Sequence, residues 1–178
     1  MKLNQWLGVV ASMVIGASAH SAVVSHDFDI VATDFQRSFG DGSVLPVSPF
    51  LLDFSLSFDT AADVQGTTSG LTINSFNLPY AAQYAYSASN DTVTLATDAD
   101  PGSCGNPANT FCIFISDFST TAPSVDFVQQ STPTGGYWVA QSIDVQVDVV
   151  PEPGSLALVG LALAGVGAAR ARSKGQRA

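Results

Sequence analysis

The chain has 178 residues, 46% of them hydrophobic and only 12% charged, with six basic residues against fifteen acidic ones and a formal net charge of −9. The acidity is concentrated in the middle: between residues 20 and 150 there is one arginine, Arg37, against fourteen aspartates, a side-chain charge of −13 with histidine neutral. Such a surface excludes nucleic acid and anionic lipid as partners, because binding a polyanion needs a basic face, and the 131 residues involved amount to one domain with one core.

Residues 1–19 read as a secretory signal peptide. Lys2 supplies the positive start, residues 6–15 an apolar run, and Ala17-Ser18-Ala19 an A-x-A cleavage site, so the mature chain is expected to begin at His20. There is no cysteine at that point for a lipoprotein signal to use.

From there to residue 149 the periodic segments are strands. Residues 23–31 open the series. Residues 49–59 place Phe50, Leu52, Phe54, Leu56 and Phe58 on one face and Asp53, Ser55 and Ser57 on the other, the alternation of a half-buried antiparallel strand. Shorter strands are expected at 71–76, 92–97, 111–116 and 124–129, with turns at Gly40-Asp41-Gly42-Ser43, Ser89-Asn90-Asp91 and Thr132-Pro133-Thr134-Gly135-Gly136. Residues 80–89, with Tyr80, Tyr84 and Tyr86, fit either a strand or an aromatic loop. The last strand, 137–149, alternates Tyr137, Val139, Ile143, Val145, Val147 and Val149 with Trp138, Ala140, Ser142, Asp144, Gln146 and Asp148. Interior helical periods with caps are missing, so the expected fold is all-β: an antiparallel sandwich or jelly-roll-like domain over residues 20–149, with a barrel as a further alternative, flanked by the signal peptide and a C-terminal transmembrane helix. Cys104 and Cys112 flank turn material, and in an oxidising compartment they are expected to form a disulfide worth about 2 to 3 kcal/mol.

The tail, residues 150–178, has three parts in order. Pro151-Glu152-Pro153 disfavours helix before it. An uncharged run at 154–169 follows, anchored by Leu156, Leu158, Val159, Leu161, Leu163 and Val166; its 16 residues make roughly 24 Å of helix, short of a ~30 Å hydrocarbon core. Arg170, Arg172, Lys174 and Arg177 close the chain and by the positive-inside rule stay cytoplasmic, which leaves the domain on the outer side of the inner membrane.

This order resembles the PEP-CTERM sorting signal of Gram-negative bacteria. The resemblance covers about the last 28 residues. It implies that an exosortase, a membrane-embedded cysteine-dependent enzyme, reads Pro151, Glu152 and Pro153, with the helix as a temporary anchor and the basic tail as the stop-transfer patch. It also implies an inner-membrane stage on the periplasmic side, then a cell-surface or extracellular place after cleavage. A role in a biofilm or an exopolysaccharide matrix goes with it.

The domain's own chemistry is narrow. It has no lysine or glutamate, and its histidines, His20 and His26, stand near the new N-terminus. No serine lies in a G-x-S-x-G turn, and no enzymatic activity is expected. A secreted hydrolase using paired aspartates is the alternative that the fourteen acids leave open. No cofactor is required; a calcium ion is the one that Asp98 and Asp100 would serve, beside the Asp27-x-Asp29 and Asp144-x3-Asp148 pairs, although alternating aspartates also mark the wet face of a strand. A transition-metal site from His20, His26 and Asp27 is weaker still. Extracellular polysaccharide is the remaining partner: Trp138 with Tyr80, Tyr84 and Tyr86 would make a platform for sugar rings. The commoner fate of a tryptophan is to pack under a loop or a second sheet, and that reading is preferred.

Overall fold

The structure, a computed structural model, describes residues 23–99, 104 and 110–149. Within them lie nine strands and no helix: β1 (Val23–Phe39), β2 (Phe50–Asp59), β3 (Val64–Thr67), β4 (Leu71–Phe76), β5 (Gln83–Ser87), β6 (Thr92–Ala96), β7 (Phe111–Ser116), β8 (Ser124–Ser131) and β9 (Tyr137–Val149). The expected signal peptide, its expected cleavage site at Ala17 and Ala19, and the expected transmembrane helix fall outside the described residues.

The all-β expectation holds, but the two-sheet arrangement does not. All nine strands belong to one antiparallel sheet in the order β3-β5-β6-β7-β8-β9-β1-β2-β4. Its curl follows from ring contacts. Phe58 on β2 lies 5.0 Å from both Tyr84 and Tyr86 on β5, six strand positions away, whereas a flat sheet would separate them by roughly 29 Å at about 4.8 Å per strand. Phe50 and Phe76 likewise meet Phe111 on β7 at 6.2 and 5.0 Å. The sheet thus folds over on its own apolar face as a half-barrel, and one continuous core does the work expected of two facing sheets.

The alternating apolar residues of β2 are all buried in that core, with Phe54 stacked on Phe28 at 4.9 Å and Phe58 on Phe118 at 4.9 Å. Each such ring removes enough apolar surface from water to contribute about 2 to 3 kcal/mol. The two edge strands β3 and β4 are consecutive in the chain, joined only by residues 68–70. The backbone N–H of Ser57 donates to the carbonyl of Gly70 (2.9 Å), and the Tyr84 hydroxyl donates to that of Ser69 (2.8 Å), so this turn ties one half of the sheet to the other.

One irregularity redirects side chains. On β1, Phe28, Ile30 and Ala32 face the core opposite Val147, Val145 and Ile143 of β9. Asp34 then adopts the left-handed region at φ 54°, which aspartate tolerates better than most residues. Beyond it Phe35 and Ala140, a register pair, face inward instead. Both strands therefore exchange their inward and outward phases near Asp34 and Gln141.

A second, smaller cluster sits on the opposite face, built from Ala85, Ala96, Ala99 and Cys112 with Cys104 packed against it. Cys104 and Cys112 are joined by a disulfide, their Cα atoms 5.6 Å apart, as the turn-flanked pair suggested.

At the far end from Val149, the loop after β1 meets the turn after β8 backbone to backbone. A Cβ on Gly40 would stand 2.0 Å from the Gly135 carbonyl oxygen, and one on Gly136 2.0 Å from that of Asp41, so neither position admits a side chain without movement. Gln130 holds the same loop with both ends of its amide, accepting from the Val47 N–H (3.1 Å) and donating to the Val47 carbonyl (2.7 Å).

Candidate functional site

The aromatic platform is not assembled. Tyr84 and Tyr86 alternate inward on β5 and are fully buried against Phe58, while Tyr80 lies in the preceding loop, 37% exposed. Trp138 is 9% exposed and sits two residues from the core-facing Ala140, paired with Gln130 and Arg37. Unbroken alternation from Val149 back to Tyr137 puts Trp138 on the solvent side; the phase change near Gln141 turns it toward the core. Its Nε1 has no hydrogen-bond partner there.

Burial holds the two core phenols in their neutral form. It pushes the Tyr84 hydroxyl above its ordinary value, and for Tyr86 burial is reinforced by the hydrogen bond to Asp91 (2.9 Å). Asp91 is a structural hub: its carboxylate also accepts from the Ser119 N–H (2.9 Å) and hydroxyl (2.7 Å), which fastens the β7–β8 connection to the β5–β6 turn.

Several other aspartates are used in the same way. Asp63 accepts from the Ala88 N–H (2.8 Å), Asp53 from the Asn74 amide (2.9 Å) and Asp126 from the Ser124 hydroxyl (2.8 Å). Asp41 takes two hydrogen bonds from Ser43, first from its hydroxyl and then from its backbone N–H, and these hold its carboxyl below the usual range.

Of the calcium pair, Asp98 receives the Gln83 amide at 3.3 Å and Asp100 lies outside the described residues. His26 and Asp27 point to opposite faces of β1. His26 is buried, its Nε2 donating to the Phe118 carbonyl (2.8 Å), with Nδ1 unpartnered beside the rings of Phe28 and Phe118. His20 lies outside the described residues. Among the described residues no three His, Cys, Asp or Glu side chains gather as a metal-holding group.

The paired aspartates do occur, on the outer face of the sheet. Asp27 is opposite Asp148 across β1 and β9, and Asp29 is opposite Asp53 across β1 and β2. The Asp27-x-Asp29 spacing puts both side chains on one face of β1 but carries no signal of which strands lie alongside. A different surface occupies the other end of this face, where Phe39 lies parallel to Tyr137 with ring centroids 4.3 Å apart and an interplanar angle of 17°. Tyr137 donates its hydroxyl to Gln129 Oε1, and burial raises its phenol above the ordinary value. Phe39 was overlooked because the strand was expected to end at residue 31, and its only signal in the sequence is an aromatic just ahead of a glycine turn.

Pro151, Glu152 and Pro153, the expected anchor from Leu156 to Val166 and the basic residues Arg170, Arg172, Lys174 and Arg177 lie outside the described residues. What the structure places is the strand that leads to them: β9 is held by β1 through the pair His26 and Val149 and ends there. Among the described residues no helix is long and apolar enough to cross a membrane. Neither the curated proteins nor the solved structures include a match to this chain. The PEP-CTERM protein-sorting motif matches residues 149–173, so the tail of this chain is such a motif, and it begins on the last residue of β9.

Proposed function

We propose that this is an exported surface or matrix protein of a Gram-negative bacterium whose β-domain acts by binding or assembly, not by catalysis. Its N-terminal leader directs export. The apolar run after β9 holds it in the inner membrane with the domain on the periplasmic side, and an exosortase then cuts the tail. The observation that carries this reading is the sorting motif at residues 149–173, starting where the sheet ends. Two features support it: four of the six basic residues follow the apolar run, and the only two cysteines are paired in a disulfide suited to an oxidising compartment.

Intact-mass measurement on membrane and culture-medium fractions of the native host tests it. The expected product begins near His20 and ends near Pro151-Glu152-Pro153. A chain that keeps residues 156–178 and stays in the membrane fraction overturns the processing step and leaves an ordinary anchored protein.

A further inference from the structure

β8 and β9 are neighbours over only three register pairs, from Gln129 with Val139 to Ser131 with Tyr137. Beyond them β9 continues along β1 as far as Val149 while β8 stays with β7. Among the described residues, the side of β9 that faces away from β1 therefore has no partner strand from Ala140 to Val149. Ile143, Val145 and Val147 face the core there but are only partly buried, and Ser142, Asp144, Gln146 and Asp148 alternate with them, exposed on the outer face.

The other free edges of the sheet are short or interrupted. β3 has four residues, β4 is bulged at Asn74, whose amide is tied to Asp53, and the free part of β8 is bulged at Asp126. Bulges, prolines and lysines are the means by which proteins blunt an edge. From Ser142 to Val149, β9 has none of them: its register with β1 is unbroken and its only charges are Asp144 and Asp148. An edge left in this state takes up a further strand.

We propose that this strand is β9 of a second copy, paired antiparallel about a two-fold axis at Val145. In that register Ser142 stands opposite Asp148 of the second copy and Gln146 opposite its Asp144, so each carboxylate meets a hydroxyl or amide donor. On the core side Ile143 meets Val147 and Val145 meets itself, which covers the half-buried aliphatic row. The neighbouring registers are worse. An axis at Asp144 opposes that residue to itself, and one at Gln146 opposes Asp144 to Asp148 twice. A slip of one residue sets the aliphatic row against the polar one. The two aspartates thus reject the alternatives and leave one self-complementary pairing.

The two chains leave such a pair in opposite directions, their Val149 residues roughly 26 Å apart at about 3.3 Å per residue. Copies anchored side by side in one membrane have their β9 strands running the same way, which an antiparallel pair excludes. The contact therefore suits copies that have been released; this ordering, unlike the pairing itself, rests on the function proposed above.

Sedimentation velocity of the full chain in detergent, where the tails share no membrane plane, tests the pairing apart from any processing. A concentration-dependent dimer is expected, and it should strengthen as salt is raised from about 50 to about 500 mM, because two domains of −13 repel each other. Within its own sheet Ser142 faces the neutral Thr33. Ser142→Asp should therefore leave the melting temperature of the monomer unchanged while weakening the dimer about tenfold, by opposing Asp148 on both sides of the axis. Ser142→Lys should tighten it. The same two changes at Thr72, on the exposed β4 edge, should leave it as it was. Val145→Cys should give a disulfide-linked dimer on mild oxidation, since the axis sets this residue opposite itself and the two native cysteines are already paired. The proposal is overturned if the chain is monomeric at every concentration, if the two Ser142 variants do not shift the dimer in opposite directions, or if Val145→Cys yields no linked dimer. It is also overturned if the Thr72 variants act as strongly as those at Ser142, which would move the contact to β4.

Discussion

Asp27 on β1 and Asp148 on β9 stand directly opposite each other in the β1–β9 ladder, and Asp29 and Asp53 are opposed in the same way one strand over. Like charges in this position destabilise a sheet, and the domain's single arginine is paired in register with Trp138, far along the ladder. Asp148→Asn removes one charge while keeping the shape and a similar strand propensity. It should raise stability by about 0.5 kcal/mol, and the gain should shrink as salt is added, because exposed charges are screened. Denaturant melts at low and high ionic strength check this; a loss of stability at low salt would contradict it.

The glycine contact at the far end gives a contrast between neighbours. Gly136→Ala drives a Cβ into the Asp41 carbonyl and should cost on the order of 2 to 3 kcal/mol, as overpacking against backbone does. Gly135→Ala meets nothing within 4 Å but sits at φ +84°, so only the left-handed backbone is penalised, by about 1 kcal/mol. Paired chemical denaturation curves should rank Gly136→Ala clearly below Gly135→Ala.

Reducing the Cys104–Cys112 bond frees a short loop and loosens Cys104 from the cluster of Ala85, Ala96, Ala99 and Cys112. A loop of this size corresponds to about 2.5 kcal/mol of chain entropy in the unfolded state. Thermal melts with and without reductant should differ accordingly, and Cys104→Ser with Cys112→Ser together should reproduce the reduced protein.

Alkaline pH should unfold the domain through its tyrosines. Tyr84, Tyr86 and Tyr137 all have folded-state pKa values raised above 10.0, so their contribution is fully present below pH 10 and is lost as pH rises from there toward the folded values, where the unfolded chain has already released its protons. Ultraviolet titration of tyrosinate, run beside circular dichroism, should show these phenols ionising together with loss of structure. Tyr86→Phe should make the fall above pH 10 shallower; an unchanged slope would count against Tyr86 as a contributor.

Much of the sheet was legible because side-chain alternation and turn residues are local signals. The expected segments at 71–76, 111–116 and 137–149 coincide with β4, β7 and β9, and 49–59 with β2 apart from its first residue. β3 was not anticipated: Val64-Gln65-Gly66-Thr67 is short and nearly without apolar residues, and its place comes from pairing with β5. β5 itself read equally as a loop, since Tyr84, Ala85 and Tyr86 are all buried on both faces and show no polar side to mark the period. The sandwich expectation failed for a nonlocal reason, because a pattern of half-buried strands does not say whether the facing halves belong to one sheet or two. Trp138 shows the limit at the candidate site. Its environment depends on the backbone of Asp34, a hundred residues earlier, and no period read along β9 alone contains that information. The sorting motif was legible because its recognition rests on residue order along the chain and needs no fold.

The position of β9 between β8 and β1 has a consequence for when the domain can exist at all. Take that strand away and the hydrogen-bonded sheet separates into two pieces, β1-β2-β4 and β3-β5-β6-β7-β8, left in contact through the facing rings, the β3–β4 turn and loop contacts such as His26 to Phe118 and Gln130 to Val47. The keystone is the last strand made and, in a chain threaded outward from its N-terminus, the last to cross the membrane. Its pairing with β1 spans more than a hundred residues, the kind of distant closure that makes β-proteins fold slowly. Completion of the sheet and delivery of the residues that open the sorting motif are thus a single event: a tail that has not arrived leaves the domain without its centre.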